Sequence, residues 1–212
     1  MVAAARGLLG ARLIRDDGLS VRTGRIVEVE AYGGPLDLAS HARPGRTARN
    51  ATMFGPSGRA YVYGVYGMHT CLNVVCGPAD QPSAILVRAV EPLMGVATMR
   101  EARLARGLAT RQSERAAPVR AAGRVARLPV AQLASGPGNV GAAFSIERED
   151  DGRDLMDPAS PLRLEALPSA EPRQDIASGP RIGVGFAGVE WASTPWRFWL
   201  PGSPSLSGRR GR

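Results

Sequence analysis

The chain has 212 residues, 44% hydrophobic and 22% charged, which suits one globular domain with a sizeable core and is too short for a large multidomain assembly. All 27 lysine-plus-arginine positions are arginine, and the net charge of +8 with a pI near 10.8 favours an acidic partner such as nucleic acid over a neutral metabolite, although abundant alanine, glycine and proline let a GC-rich genome explain the arginine bias. With no lysine, no side-chain amine can form a Schiff base; no run of about 18 apolar residues suggests a membrane span, and Cys71 and Cys76 alone, with no apolar leader, point to a reducing cytoplasm.

In chain order, residues 2–15 mix Ala, Leu and Arg at helical spacing and predict an N-terminal helix, closed by a turn at Asp16-Asp17-Gly18. From Arg25 the period becomes two, with Val27, Val29 and Ala31 on one strand face and Glu28, Glu30 and Tyr32 on the other. Glu30 and Tyr32 then stand roughly 7 Å apart. The segment from Gly33 to Gly58 is dense in Gly, Pro, Arg and Asn and predicts a long loop over a functional site. Strands are expected at 60–66, 70–76 and 83–90, and a helix at 95–106. Residues 107–128 carry Arg111, Arg115, Arg120, Arg124 and Arg127 without an apolar period and predict a flexible loop, the alternative being a basic surface. Further strands fit 162–167, 181–186 and 196–200, before a basic tail at 203–212 rich in Ser, Gly, Pro and Arg. The order predicts one mixed α/β (α+β) domain over 1–212, with a curved, largely antiparallel sheet flanked by helices.

The four tyrosines, Tyr32, Tyr61, Tyr63 and Tyr66, fall in one short segment with Glu30 and His41, as expected of a pocket for a planar ligand such as a nucleobase. Cross-strand packing explains Tyr61 and Tyr63 equally well. Tyr66 differs, because Gly64 and Gly67 flank it and a ring at a sharp turn can wedge between stacked bases. Arg88 sits inside an apolar strand and needs a buried carboxylate partner, for which Glu30 is the best candidate; a carboxylate so held keeps its charge and can act as a base towards water, or can be a plain structural ion pair. Asn73, in another apolar run, is a satisfied core amide or a reader of a base edge. Two motifs are rejected. Gly183 to Gly188 matches a dinucleotide fingerprint, but the proline-broken remainder cannot build a βαβ unit. His69, Cys71, Cys76 and His41 match no common zinc spacing, so no metal and no cofactor are expected.

The runs Val27-Glu28-Val29-Glu30-Ala31-Tyr32, Ser40-His41-Ala42-Arg43, Arg49-Asn50, Met53-Phe54, Tyr61 to Met68, Leu72-Asn73-Val74 and Leu86 to Pro92, with Ser135-Gly136-Pro137, Arg181 to Gly185 and Pro195 to Phe198, resemble the 3-methyladenine DNA glycosylase family related to mammalian alkyladenine DNA glycosylase. The likeness spans about residues 6–204. It implies a monofunctional glycosylase of base excision repair, a bacterial cytoplasmic, nucleoid-associated monomer whose partner is double-stranded DNA containing damaged purines. By position, Glu30 would deprotonate a water held also by Arg88 and the backbone carbonyl of Ile182. Tyr32, His41 and Tyr63 would receive the flipped base, Asn73 would exclude guanine, and Tyr66 would fill the gap in the duplex. Arg49, Asn50, Met53, Met68, Ser135 and Gly136 are further candidate DNA contacts. His69 and Phe186 depart from the mammalian pattern, which leaves lesion breadth open. Two other readings remain: a non-catalytic damaged-DNA-binding protein with the same wedge, and an RNA-binding domain.

Overall fold

The computed structural model describes residues 1–65, 69–109, 123–166 and 175–208. Eight strands pair only antiparallel: β1 (Arg12–Asp16), β2 (Val21–Gly33), β3 (Ala60–Val65), β4 (His69–Val75), β5 (Ser83–Met94), β6 (Leu162–Glu165), β7 (Ala177–Gly179) and β8 (Arg197–Trp199). The order is β3-β4-β5-β2-β1-β6, with β8 also on β2 and β7 on β8. Helices α1 (Val2–Leu8), α2 (Val96–Ala109), α3 (Pro137–Ala143) and α4 (Gly188–Ser193) accompany the sheet, with short 3-10 turns between elements. The sheet does not close, so the expected mixed α/β fold with a large antiparallel sheet is the observed one.

Strand alternation divides the two faces by chemistry. Ile26, Val29, Ala31, Ala60, Val62, Leu72, Val74, Ile85 and Val87 join one core with Ala5 of α1, Met99 of α2 and Val140 and Ala143 of α3. Their neighbours Glu28, Glu30, Tyr32, Tyr61, Tyr63, Cys71, Asn73, Leu86 and Arg88 belong to the opposite face. The apolar face is thus sealed by helices, which leaves the polar and aromatic face to build a site.

Two bulges in β2 and β5 set that polar face. Ile26 pairs with Val90 and Glu28 with Ala89, so Val27 is extra on β2; Glu28 pairs with Ala89 and Val29 with Val87, so Arg88 is extra on β5. Val27 therefore leaves the face of Val29 and Ala31 and packs with Ala89 and Leu200, while Ile26 takes its place in the main core. This corrects the simple period-two reading. The edge of β2 changes partner at the same point, from β1 at Val21 to Arg25 to β8 at Glu28 to Glu30.

Two other expectations are corrected. The first helix stops at Leu8, because Gly10 takes φ 91° and residues 12–16 gain more as β1, hydrogen-bonded on both sides. Residues 181–186 are not a strand: Gly183 at φ 82° breaks the extended run, Gly185–Ala187 is a 3-10 turn, and β8 pairs instead with β7. The 107–128 segment is helical at both described ends, to Ala109 and again at 123–126, and its middle lies outside the described residues.

α3 rests directly on β4. A Cβ on Gly141 would lie 2.2 Å from the Thr70 carbonyl oxygen and 2.8 Å from its hydroxyl. Gly141→Ala is expected to lower unfolding free energy by about 1–3 kcal/mol through overpacking, despite the roughly 1 kcal/mol by which alanine favours a helix. Urea denaturation checks this, and an unchanged or raised midpoint would contradict the packing.

Candidate active site

Glu30 is fully buried on β2 and held from three sides. The Tyr32 hydroxyl donates to its Oε2 at 2.7 Å, the backbone amide of Ile182 donates to Oε1 at 2.7 Å, and Arg88 Nη1 lies 3.1 Å from Oε1. It is the amide of Ile182, and not its carbonyl, that meets the carboxylate. Burial works against the charge on Arg88, but Glu30 and Glu28 outweigh it and raise its pKa. Burial first, and then the charge of Glu30, push the Tyr32 phenol well above its ordinary range, so it remains a donor.

Arg88 is shared with a second carboxylate. Its Nε donates to Glu28 Oε1 at 2.9 Å, and Arg197 Nε reaches the same oxygen at 2.8 Å. Glu28 was visible in the sequence only as a neighbour of Glu30 on one face. Its pairing with Arg88 depends on the two bulges, and bulges have no short sequence signature here.

In front of this network lies a cavity of about 630 Å³ lined by Tyr32, His41, Tyr61, Tyr63, Cys71, Asn73, Arg88, Ile182 and Phe186, among others. Glu30 stands behind that wall, covered by the groups that hold it. The His41 and Tyr63 rings meet edge to face at 4.5 Å, Tyr61 lies 5.5 Å from Tyr63, and His41 Nδ1 is 3.0 Å from the Tyr61 hydroxyl. Asn73 Nδ2 donates to the Tyr61 carbonyl at 3.0 Å, so the amide is satisfied on one side and also lines the cavity. Burial holds the Cys71 thiol protonated, with its pKa pushed up to about 11. Among the described residues no group of three His, Cys, Asp or Glu could hold a metal, and no helix is long and apolar enough to cross a membrane.

Arg181 builds the back of the aromatic wall, although no residue pattern flagged it beyond its place in a matching run. Its side chain is fully buried and grips Asp37 through two bonds, at 2.6 and 2.9 Å, while donating to the Ala31 carbonyl at 3.1 Å. The guanidinium lies 4.7 Å from the Tyr32 ring centroid and 5.2 Å from that of Trp196. Asp37 in turn accepts from the amides of Gly33 and Ala39. The long loop after β2 is thereby fastened behind Tyr32, and it does cover the site, since Ala39, His41, Arg49 and Met53 line the cavity.

The remaining candidates divide. Arg49 is exposed at the cavity wall, with Nη2 3.4 Å from the Gly64 carbonyl. Asn50 is buried and spends its amide on the carbonyls of His41 and Gly45, and its oxygen on the Thr47 amide, so it organises the loop. Met53 is buried against Tyr61. The Ser135 hydroxyl donates to the Leu206 carbonyl, and Gly136, at φ 102°, turns the chain into α3, whose Pro137 and Gly138 reach the cavity. His69 and Phe186 also line it, the latter 73% exposed. Tyr66 and Met68 lie outside the described residues.

His41 is shifted below its ordinary value by burial first and by the charge of Arg49 second, so it is neutral at pH 7. Its imidazole resonances should titrate below about 6.5, and Arg49→Ala should move that midpoint upward. A midpoint at or above the ordinary histidine value would contradict the environment described.

The sequence profile of the methylpurine-DNA glycosylase family matches residues 1–204. A protein of Nocardia farcinica (strain IFM 10152), which carries a provisional 3-methyladenine DNA glycosylase name, is 46% identical over 212 residues, covering 98% of this chain and 86% of the relative. One of the same name from Anaeromyxobacter dehalogenans (strain 2CP-C) is 45% identical over 204 residues, covering 96% and 80%. A family match over nearly the whole chain, and relatives matched along most of their own length, agree with the pairing of a buried carboxylate and an aromatic cavity: the chain belongs to the methylpurine-DNA glycosylase family, hydrolases that act on N-glycosyl bonds.

Proposed function

We propose that this protein is a monofunctional DNA glycosylase of base excision repair, which takes alkylated purines such as 3-methyladenine and 7-methylguanine out of duplex DNA and hydrolyses the N-glycosidic bond. The observation that carries this reading is Glu30, fixed by Arg88, Tyr32 and the Ile182 amide directly behind an aromatic cavity. A purine alkylated on a ring nitrogen is cationic. Electron-rich rings such as Tyr32 and Tyr63 favour it by about 0.5–2 kcal/mol per contact. Such a base is already a good leaving group, so the protein needs mainly a carboxylate near the sugar, where positive charge develops, and a positioned water.

Glu30 supplies both in this reading. Its Oε2 accepts from the Tyr32 hydroxyl, and the carboxylate so oriented is the general base towards the attacking water. Arg88 and the Ile182 backbone carbonyl help hold the water. His41 closes the pocket against Tyr63, and Asn73 crowds the exocyclic amine of normal guanine. Tyr66, with Met68 beside it, fills the gap left in the duplex, approached from the minor groove, and Arg49, Ser135 and Gly136 border the bound strand. With no lysine, only the N-terminal amine could form a Schiff base, and in this reading the product is an abasic site in an uncut strand. The protein acts as a monomer on chromosomal DNA in a bacterial cytoplasm. Hypoxanthine and ethenoadenine are further candidate substrates in this reading.

The complete burial of Glu30 favours one alternative, a damaged-DNA-binding protein in which the carboxylate is structural. Glu30→Gln separates the two. It should bind a duplex with one 7-methylguanine as the wild type does while base release falls on the order of 10²–10⁴-fold, the usual worth of a general base. Undiminished release would refute the assignment, and no release by either protein would leave the binding reading standing.

A further inference from the structure

The family match ends at residue 204, yet the next residues enter the buried network behind Glu30. Ser205 is fully buried and Ser207 is 7% exposed, so residues 205–207 are packed chain. The Ser207 amide donates to Glu28 Oε2, and its hydroxyl donates to Glu28 Oε1 at 2.8 Å. The same hydroxyl oxygen accepts from Arg88 Nε at 3.2 Å and Nη2 at 3.1 Å. Arg197 Nη2 donates to the Ser207 carbonyl at 3.1 Å, and the Ser135 hydroxyl holds the preceding carbonyl of Leu206 at 3.0 Å. A hydroxyl has one proton and two lone pairs, and all three are used here.

We infer that Ser207 is a positioning residue for Arg88, and through it for Glu30, so that the C-terminal segment is a strap which completes the active site from behind. This rests on the glycosylase reading only for its effect on rate. The guanidinium of Arg88 has three nitrogens: Nη1 faces Glu30, Nε faces Glu28, and Nη2 has Ser207 as its hydrogen-bond acceptor. Without the hydroxyl, Nη2 is left buried with no acceptor in that direction, and the plane of the guanidinium is free to turn about Nε towards another partner. Nη1 then leaves Glu30. Duplex binding, which depends on the other side of the cavity wall, is untouched.

The test compares full-length wild type, Ser207→Ala and Ser207→Thr in two measurements. In single-turnover excision from a duplex carrying one 7-methylguanine, Ser207→Ala should lose on the order of 10- to 100-fold in rate, as expected for a misplaced catalytic group. Its affinity for the same duplex should be unchanged, and Ser207→Thr, which keeps the hydroxyl, should recover most of the rate. In ¹⁵N spectra of the arginine side chains without DNA, wild type and Ser207→Thr should give separate, slowly exchanging Arg88 Nη signals that merge in Ser207→Ala. An unchanged Arg88 spectrum, or an alanine variant as fast as wild type, overturns the proposal. If the wild type releases no base from any alkylated duplex, the functional reading fails, while the spectra still decide the role of Ser207.

Discussion

The guanidinium of Arg88 between two fully buried carboxylates is the interaction on which the rest of the site depends. Glu28 and Glu30 are both excluded from water, and ionised groups so placed are tolerated only when paired and hydrogen-bonded on nearly every atom. Arg88 serves both, Arg197 adds a second positive charge at Glu28, and the Tyr32 hydroxyl and Ile182 amide finish the shell around Glu30. Removing one member of such a network costs about 3–5 kcal/mol, because its partner is left charged and unpaired. The network therefore fixes the carboxylate in place at the expense of tolerance to change.

Geometry of the backbone makes that network possible. In a regular antiparallel pair Val27 and Arg88 would each occupy an ordinary ladder position; the compensating bulges let Arg88 fall between Glu28 and Glu30 without shifting the apolar residues on either side of them. The apolar face meanwhile keeps Ile26, Val29, Ile85 and Val87 against the helices. One pair of strands thus carries a continuous core on one side and a charged cluster on the other. A second buried pair, Arg181 with Asp37, performs the same service for the aromatic wall by fixing the ring of Tyr32 and the loop that bears His41.

Much of this was legible in the chain. The strands around the tyrosines, the helix after β5, the loop over the site and the need of Arg88 for a carboxylate followed from periodicity and from the cost of burying charge. The resemblance implied roles for Glu30, Tyr32, His41 and Tyr63, and the structure brings these side chains together. What stayed hidden depends on contacts remote in sequence. β1 read as helix because its pairing with β2 and β6 is not local, and 181–186 read as strand because its apolar residues alternate, although Gly183 turns the chain there, Val184 packs with Ala39 and Ala187, and Ile182 and Phe186 border the cavity. Asp37 and Ser207 gave no signal, since a single polar residue in a loop shows its worth only when the buried arginine it meets is known.

The central claim is that this carboxylate and aromatic cavity together perform hydrolysis of a damaged nucleotide's glycosidic bond. Product analysis tests it most directly: wild-type protein in excess over a duplex with a single 7-methylguanine, sampled for free base and for strand length before and after alkali. Free 7-methylguanine, with the strand intact until alkali is added, is the predicted result. Failure to release the base, or a strand cut without alkali, would contradict it.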